Sequence, residues 1–230
     1  MGSVGIVMGW AKKMKKVTLW FSFLTFLVTF TLNILSLFYV PLDDYEWVQK
    51  NVKKPIPGYS NRIRDISEIH EELSHFNMDF NVRRATDLVF ESLVHYDGRR
   101  IDIRENWLLW GLGFMYEPIS RTQDPLKLVS GGVAICSEAA EVLSYIAKNH
   151  GFLSRLIGLG GHVVTEIQVD SNWYLADADY GIVFPMSYAP LISLNPKDSY
   201  KIIKDLLLER GFGQKAANGY RDILLSIIDN

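Results

Sequence analysis

The chain has 230 residues, 48% of them hydrophobic, and a formal net charge of −2, enough apolar material for one substantial core and no basic surplus to neutralise nucleic-acid phosphates. No nucleic-acid partner is expected. Its single cysteine, Cys136, excludes an intramolecular disulfide and a cysteine-based metal framework.

The first element in chain order is apolar. From Val17 to Val40 no side chain carries a charge, and the stretch is long enough to cross the ~30 Å hydrocarbon core as a helix. It ends in Leu37-Phe38-Tyr39-Val40-Pro41, too bulky for a signal-peptide cleavage site, so an uncleaved signal anchor is expected. Lys12, Lys13, Lys15 and Lys16 precede it, and Asp43, Asp44 and Glu46 follow it. This asymmetry predicts a single-pass membrane protein with a short cytoplasmic tail over 1–16, a span over 17–40 and the soluble part on the outer, periplasmic or extracellular, side. The N-terminus lacks the Ser or Thr that a myristoylation signal carries at its sixth position, where Ile6 stands, so the helix itself is the membrane contact.

Residues 41–60 include Lys50, Lys53, Lys54, Pro55, Pro57 and Gly58, a composition that interrupts regular structure and suits a linker. The domain begins near Asn61 and runs over 61–230. Helical spacing recurs around Ile66, Ile69, Leu73 and Phe76, and again around Val82, Ala85, Leu88, Val89 and Leu93, with Asp97-Gly98 as a following turn. His70 and His75 resemble a zinc-metalloprotease pair, but their i, i+5 spacing diverges by roughly 140° on a helix of 3.6 residues per turn. They are expected as solvated helix residues, as are His95 and His150. Between Glu105 and Gln123 lie Trp107, Trp110, Phe114, Met115 and Tyr116 with Gly111 and Gly113. They are expected to be mostly core and loop, with an aromatic available to line a cleft.

Gly131-Gly132-Val133-Ala134-Ile135 then leads into Cys136, and Ala139, Ala140, Val142, Leu143, Ile146 and Ala147 mark an amphipathic helix that stops at Gly151. Cys136 therefore sits in a first helical turn, where unpaired N–H groups and the helix dipole favour the thiolate that a nucleophile requires. Past this helix the period changes to two. Strands are expected over 155–159, 162–169 and 173–177, with Gly160-Gly161 as a break and Asp170-Ser171-Asn172 as a hairpin turn. Strand parity puts His162 and Asp177 on one face. Direct opposition would centre the turn between Val169 and Asp170, earlier than the turn residues, so a bulge or a diagonal contact is expected to join the two. A thiol, an imidazole and a carboxylate so arranged make a nucleophile, its base and the group that orients the base. Helical patterns at Tyr200–Leu208 and Tyr220–Ile228, separated by Gly211, Gly213 and Gly219, are expected to pack on the sheet without chemistry of their own.

The run from Gly132 to Gly181 resembles the transglutaminase-like cysteine superfamily. The resemblance rests on Cys136-Ser137-Glu138-Ala139-Ala140, on Gly151 to Arg155, on Gly161-His162 with Glu166, and on Trp173-Tyr174-Leu175-Ala176-Asp177. The intervals from His162 to Trp173 (173 − 162 = 11) and to Asp177 (177 − 162 = 15) match the family pattern. Ala178-Asp179-Tyr180 stands where many members have Pro-Thr, which makes Asp179 a rival to Asp177 as third triad member. The resemblance implies an α+β, papain-like fold, its nucleophile at a helix N-terminus packed on an antiparallel sheet. It also implies the catalytic set Cys136, His162 and Asp177, and acyl transfer or hydrolysis of a peptide or amide substrate through a thioester. It calls for no cofactor and no metal. Some members have lost catalysis, so the other reading is a non-catalytic structural or binding protein associated with cell-envelope or polysaccharide assembly.

Overall fold

The computed structural model describes residues 3–38, 63, 65–74, 81–95, 101, 103–104, 106–116, 119, 121 and 124–225. The linker expected over 41–60, together with His75 and Phe76, lies outside them. Helix α1 spans Ser3–Phe38, longer at its N-terminal end than the apolar run alone. Within it Lys16–Leu35 is long and apolar enough to cross a membrane. Its threonines turn inward: Thr18, Thr25, Thr29 and Thr31 return their hydroxyls to carbonyls one turn back at 2.8–3.0 Å. Such bonds satisfy polar atoms without water, as a hydrocarbon setting requires.

The chain divides into two compact units, Met1–Pro41 with Arg100–Arg121, and Leu42–Arg99 with Thr122–Asn230. The first contains a second short helix, numbered α4 in chain order, over Trp107–Gly113, capped where Asn106 accepts from the Leu109 N–H at 3.0 Å. Core packing was expected here, but none of its residues is buried. Leu108, Trp110, Leu112, Phe114, Met115 and Tyr116 are all exposed.

The second unit is α+β. Its described helices are α2 (Ile66–Ser74), α3 (Val82–Ser92), α5 (Pro125–Gly131), α6 (Cys136–Asn149), α7 (Tyr188–Ser193), α8 (Pro196–Glu209) and α9 (Gln214–Leu225). Four antiparallel strands, β3 (Leu153–Leu159), β4 (His162–Val169), β5 (Asn172–Asp177) and β6 (Ile182–Phe184), pair in sequence order. The two-residue strands β1 (Val94–His95) and β2 (Val133–Ala134) form a separate parallel pair. Neither these nor β6 was expected, because a two- or three-residue strand carries no readable period. Gly219 was expected between the last two helices but lies inside α9.

Side-chain alternation divides the core between the two sheet faces. Thr165, Ile167 and Ala176 face α6, where the Thr165 hydroxyl donates to the Ala140 carbonyl at 2.9 Å, and Ile167 and Ala176 join Val142, Leu143 and Ile146. Val164, Leu175 and Phe184 pack among Leu191, Ile203, Leu207, Tyr220 and Leu224 of the C-terminal helices. Phe184 is fully buried, and truncating such a ring to Ala costs about 3–5 kcal/mol.

Candidate active site

Cys136 opens α6 as expected. The residue before it, Ile135, has extended backbone, and its N–H is bonded by the Glu138 carboxylate at 2.9 Å. The first intrahelical bond runs from the Ala139 N–H to the Ile135 carbonyl. The N–H groups of Cys136, Ser137 and Glu138 thus precede the helical ladder and sharpen the positive end of the helix.

His162 begins β4 and Asp177 ends β5. The hairpin register pairs Val169 with Asn172 around Asp170-Ser171, and Asp170 takes the turn at φ 54°. This register leaves His162 and Asp177 two positions out of direct opposition, and the expected diagonal contact closes the gap: His162 Nε2 lies 2.6 Å from Asp177 Oδ2. Both residues are buried. The ring's second nitrogen, Nδ1, is left for Cys136, whose sulfur interacts with the His162 side chain and with the Val163 backbone N–H.

Asp177 is held at both oxygens. Oδ1 accepts the N–H groups of Asp179 at 2.9 Å and Tyr180 at 3.2 Å, while Oδ2 meets His162 and accepts the Tyr220 hydroxyl at 2.7 Å. Tyr180 and Tyr220 meet the His162 ring edge to face at 5.7 and 5.9 Å. The turn that folds Asp177 back requires Gly181, whose φ is +64° and where a Cβ would come within 2.8 Å of the Phe90 ring. Tyr220 is a neighbour of the candidate site that the sequence did not disclose, since α9 was expected only to pack.

The electrostatics favour charge separation. Burial disfavours a charged His162, yet the hydrogen bonds and negative charges of Asp177 and Cys136 outweigh it and push its pKa up to about 10. Burial also opposes a Cys136 thiolate, but the His162 hydrogen bond, the His162 charge and the Val163 N–H prevail and lower the thiol below 9.0. The arrangement therefore supports a thiolate–imidazolium pair with a fully bonded carboxylate behind it.

Asp179, the rival carboxylate, meets a different imidazole. His95 is not on a helix: it lies on β1, and its Nδ1 is 2.6 and 2.7 Å from the two Asp179 oxygens. His70 and His150 likewise depart from the expectation of solvated side chains, with Nδ1 and Nε2 3.0 Å apart. Arg155, Glu166 and Trp173, on which part of the resemblance rests, form one cluster. Arg155 donates to Glu166 at 2.6 and 2.7 Å and lies 4.6 Å over the Trp173 ring. Glu166 is buried and also accepts the Tyr188 N–H at 2.5 Å, so it ties β3 and β4 to the start of α7. Among the described residues no group of three or more His, Cys, Asp or Glu could hold a metal ion.

Compared with known proteins, the chain matches no family model, no curated protein and no solved structure.

Proposed function

We propose that this chain is a membrane-anchored, transglutaminase-like cysteine enzyme that transfers an acyl group from a peptide or amide to water or an amine through a thioester on Cys136. The observation that carries the reading is the continuous chain of contacts from Cys136 through His162 to Asp177 and Tyr220. An aspartate bonded through all its acceptor positions serves an imidazolium better than it serves a merely packed strand, because a fixed carboxylate costs no reorganisation when the ring carries charge.

In the proposed sequence the Cys136 thiolate attacks the carbonyl carbon, and the carbonyl electron pair moves to oxygen. His162 Nδ1–H gives its proton to the departing amine as the C–N bond breaks and the thioester forms. His162 then takes a proton from water or an acceptor amine, which attacks the thioester and returns the sulfur. The Cys136 backbone N–H, ahead of the helical ladder, is the natural first donor to the transient oxyanion. Helix α1 holds the domain at a membrane, and the lysines that precede its apolar run orient the domain to the outer side.

The test is acylation of the intact, detergent-solubilised chain by p-nitrophenyl acetate. An acetyl group on Cys136 by peptide mass spectrometry, absent in His162→Ala, is the expected result. A folded chain left unmodified overturns the enzyme reading in favour of the structural one.

A further inference from the structure

The strands β1 and β2, too short to stabilise much by themselves, have a positional effect. Their parallel register sets His95 beside Ala134, two residues before Cys136. His95 thus lies beside the segment that leads into Cys136, near enough for the charges of Cys136 and His162 to act on its ring. The same turn that delivers Asp177 to His162 delivers Asp179 to His95, and the two aspartates are tied together by the Asp179 N–H to Asp177 Oδ1 bond. The Asp179 side chain is 6% exposed, whereas that of His95 is 55% exposed. The carboxylate is an interior anchor and the ring it holds is open to solvent.

Building on the reading of Cys136 as an acyl-accepting nucleophile, we propose that His95, anchored through Nδ1 by Asp179, presents Nε2–H to the substrate carbonyl oxygen as the second oxyanion donor. Nδ1 faces a carboxylate and so carries a hydrogen. Nε2 is then a donor only in the doubly protonated ring. The surroundings favour that form: the Asp179 hydrogen bond first, opposed by burial, then the charges of Asp179 and Cys136 against that of His162, leave the His95 pKa raised. As Cys136 sulfur bonds to the carbonyl carbon, its negative charge passes to the carbonyl oxygen. A cation already balanced against the thiolate stabilises the oxyanion without reorganising.

Two reagents separate this role from that of the triad. Iodoacetamide alkylates the thiolate by displacement and forms no oxyanion. p-Nitrophenyl acetate acylates it through one, with the carbonyl re-forming as nitrophenolate leaves. In the intact, detergent-solubilised chain, His95→Gln and His95→Ala should lower the Cys136 acylation rate about 10²-fold, the typical loss for one oxyanion donor, and slow alkylation far less, since the thiolate keeps its His162 partner. Asp179→Asn, which keeps the bulk but removes the charge, should shift the high-pH decline of acylation to lower pH as His95 loses its proton more readily. Equal acylation of wild type and the His95 variants, or parallel loss of acylation and alkylation, overturns the role of His95 alone. Failure of the wild type to be acylated overturns the proposed function and this role with it.

Discussion

The Tyr220 hydroxyl donates to Asp177 Oδ2 at 2.7 Å, the same oxygen that holds His162 Nε2 at 2.6 Å. A C-terminal helix thus reaches the carboxylate behind the candidate base. Tyr220 is fully buried and its hydroxyl stays protonated: burial first, then the Asp177 charge, raises its pKa well above 10.0.

Tyr220→Phe should therefore destabilise the second unit by about 1.5–3 kcal/mol, the usual cost of removing a hydrogen bond to a charged group. Denaturant unfolding of the solubilised chain measures it. An unchanged midpoint would show that Asp177 does not depend on this donor.

The Arg155–Glu166 pair gives a second test. Glu166 is 1% exposed while the Arg155 side chain is 58% exposed, so Arg155→Ala leaves a buried carboxylate whose remaining partner among the described residues is the Tyr188 N–H. We expect a loss of about 1–3 kcal/mol, partly recovered in the double variant Arg155→Ala, Glu166→Gln, where no buried charge remains. A double variant no more stable than the single would contradict the account.

His70 and His150 supply a pH dependence of definite sign. Burial lowers both pKa values below 6.5, and the neighbouring His150 lowers that of His70 further. The fold favours the neutral rings. Their contribution is present above about pH 6.5, the unfolded value, and is lost as pH falls through the folded values. Unfolding midpoints followed from about pH 7.5 to about pH 5 should decline less steeply in His150→Gln than in the wild type. Parallel curves would refute this.

These sites show what was legible in the sequence and what was not. The start of α6 at Cys136 and the hairpin from His162 to Asp177 follow from local signals: a change of period, a glycine break and a turn cluster. Parity alone put His162 and Asp177 on one face, and the register explains why their contact is diagonal. Tyr220 and His95 come from distant elements, and nothing in the period of α9 distinguishes a tyrosine that only packs from one whose hydroxyl meets a carboxylate. Which imidazole each of Asp177 and Asp179 meets was likewise hidden, because the His95 that Asp179 meets lies on a two-residue strand that carries no readable period. The aromatic run around Trp110 reads as core because its composition is apolar, yet none of its helix residues is buried.

Orientation across the membrane rests on the proposed reading of Lys12, Lys13, Lys15 and Lys16 as cytoplasmic. A reporter fused after Asn230 should be active only when translocated, as alkaline phosphatase is. Activity of a reporter that works solely in the cytoplasm would reverse the assignment and move the domain to a different pool of substrates.

The most direct test of the central claim is the pH profile of Cys136 alkylation by iodoacetamide in the intact chain. If His162, with its pKa pushed up to about 10, and the helix N-terminus stabilise the thiolate, Cys136 should react at pH 6 far faster than a free cysteine of pKa about 8.5. His162→Ala should remove most of that advantage, Asp177→Asn less of it, and Asp179→Asn little. A wild-type profile that follows free cysteine, unaltered by His162→Ala, would contradict the account and leave Cys136 as a half-buried apolar residue at the start of a helix.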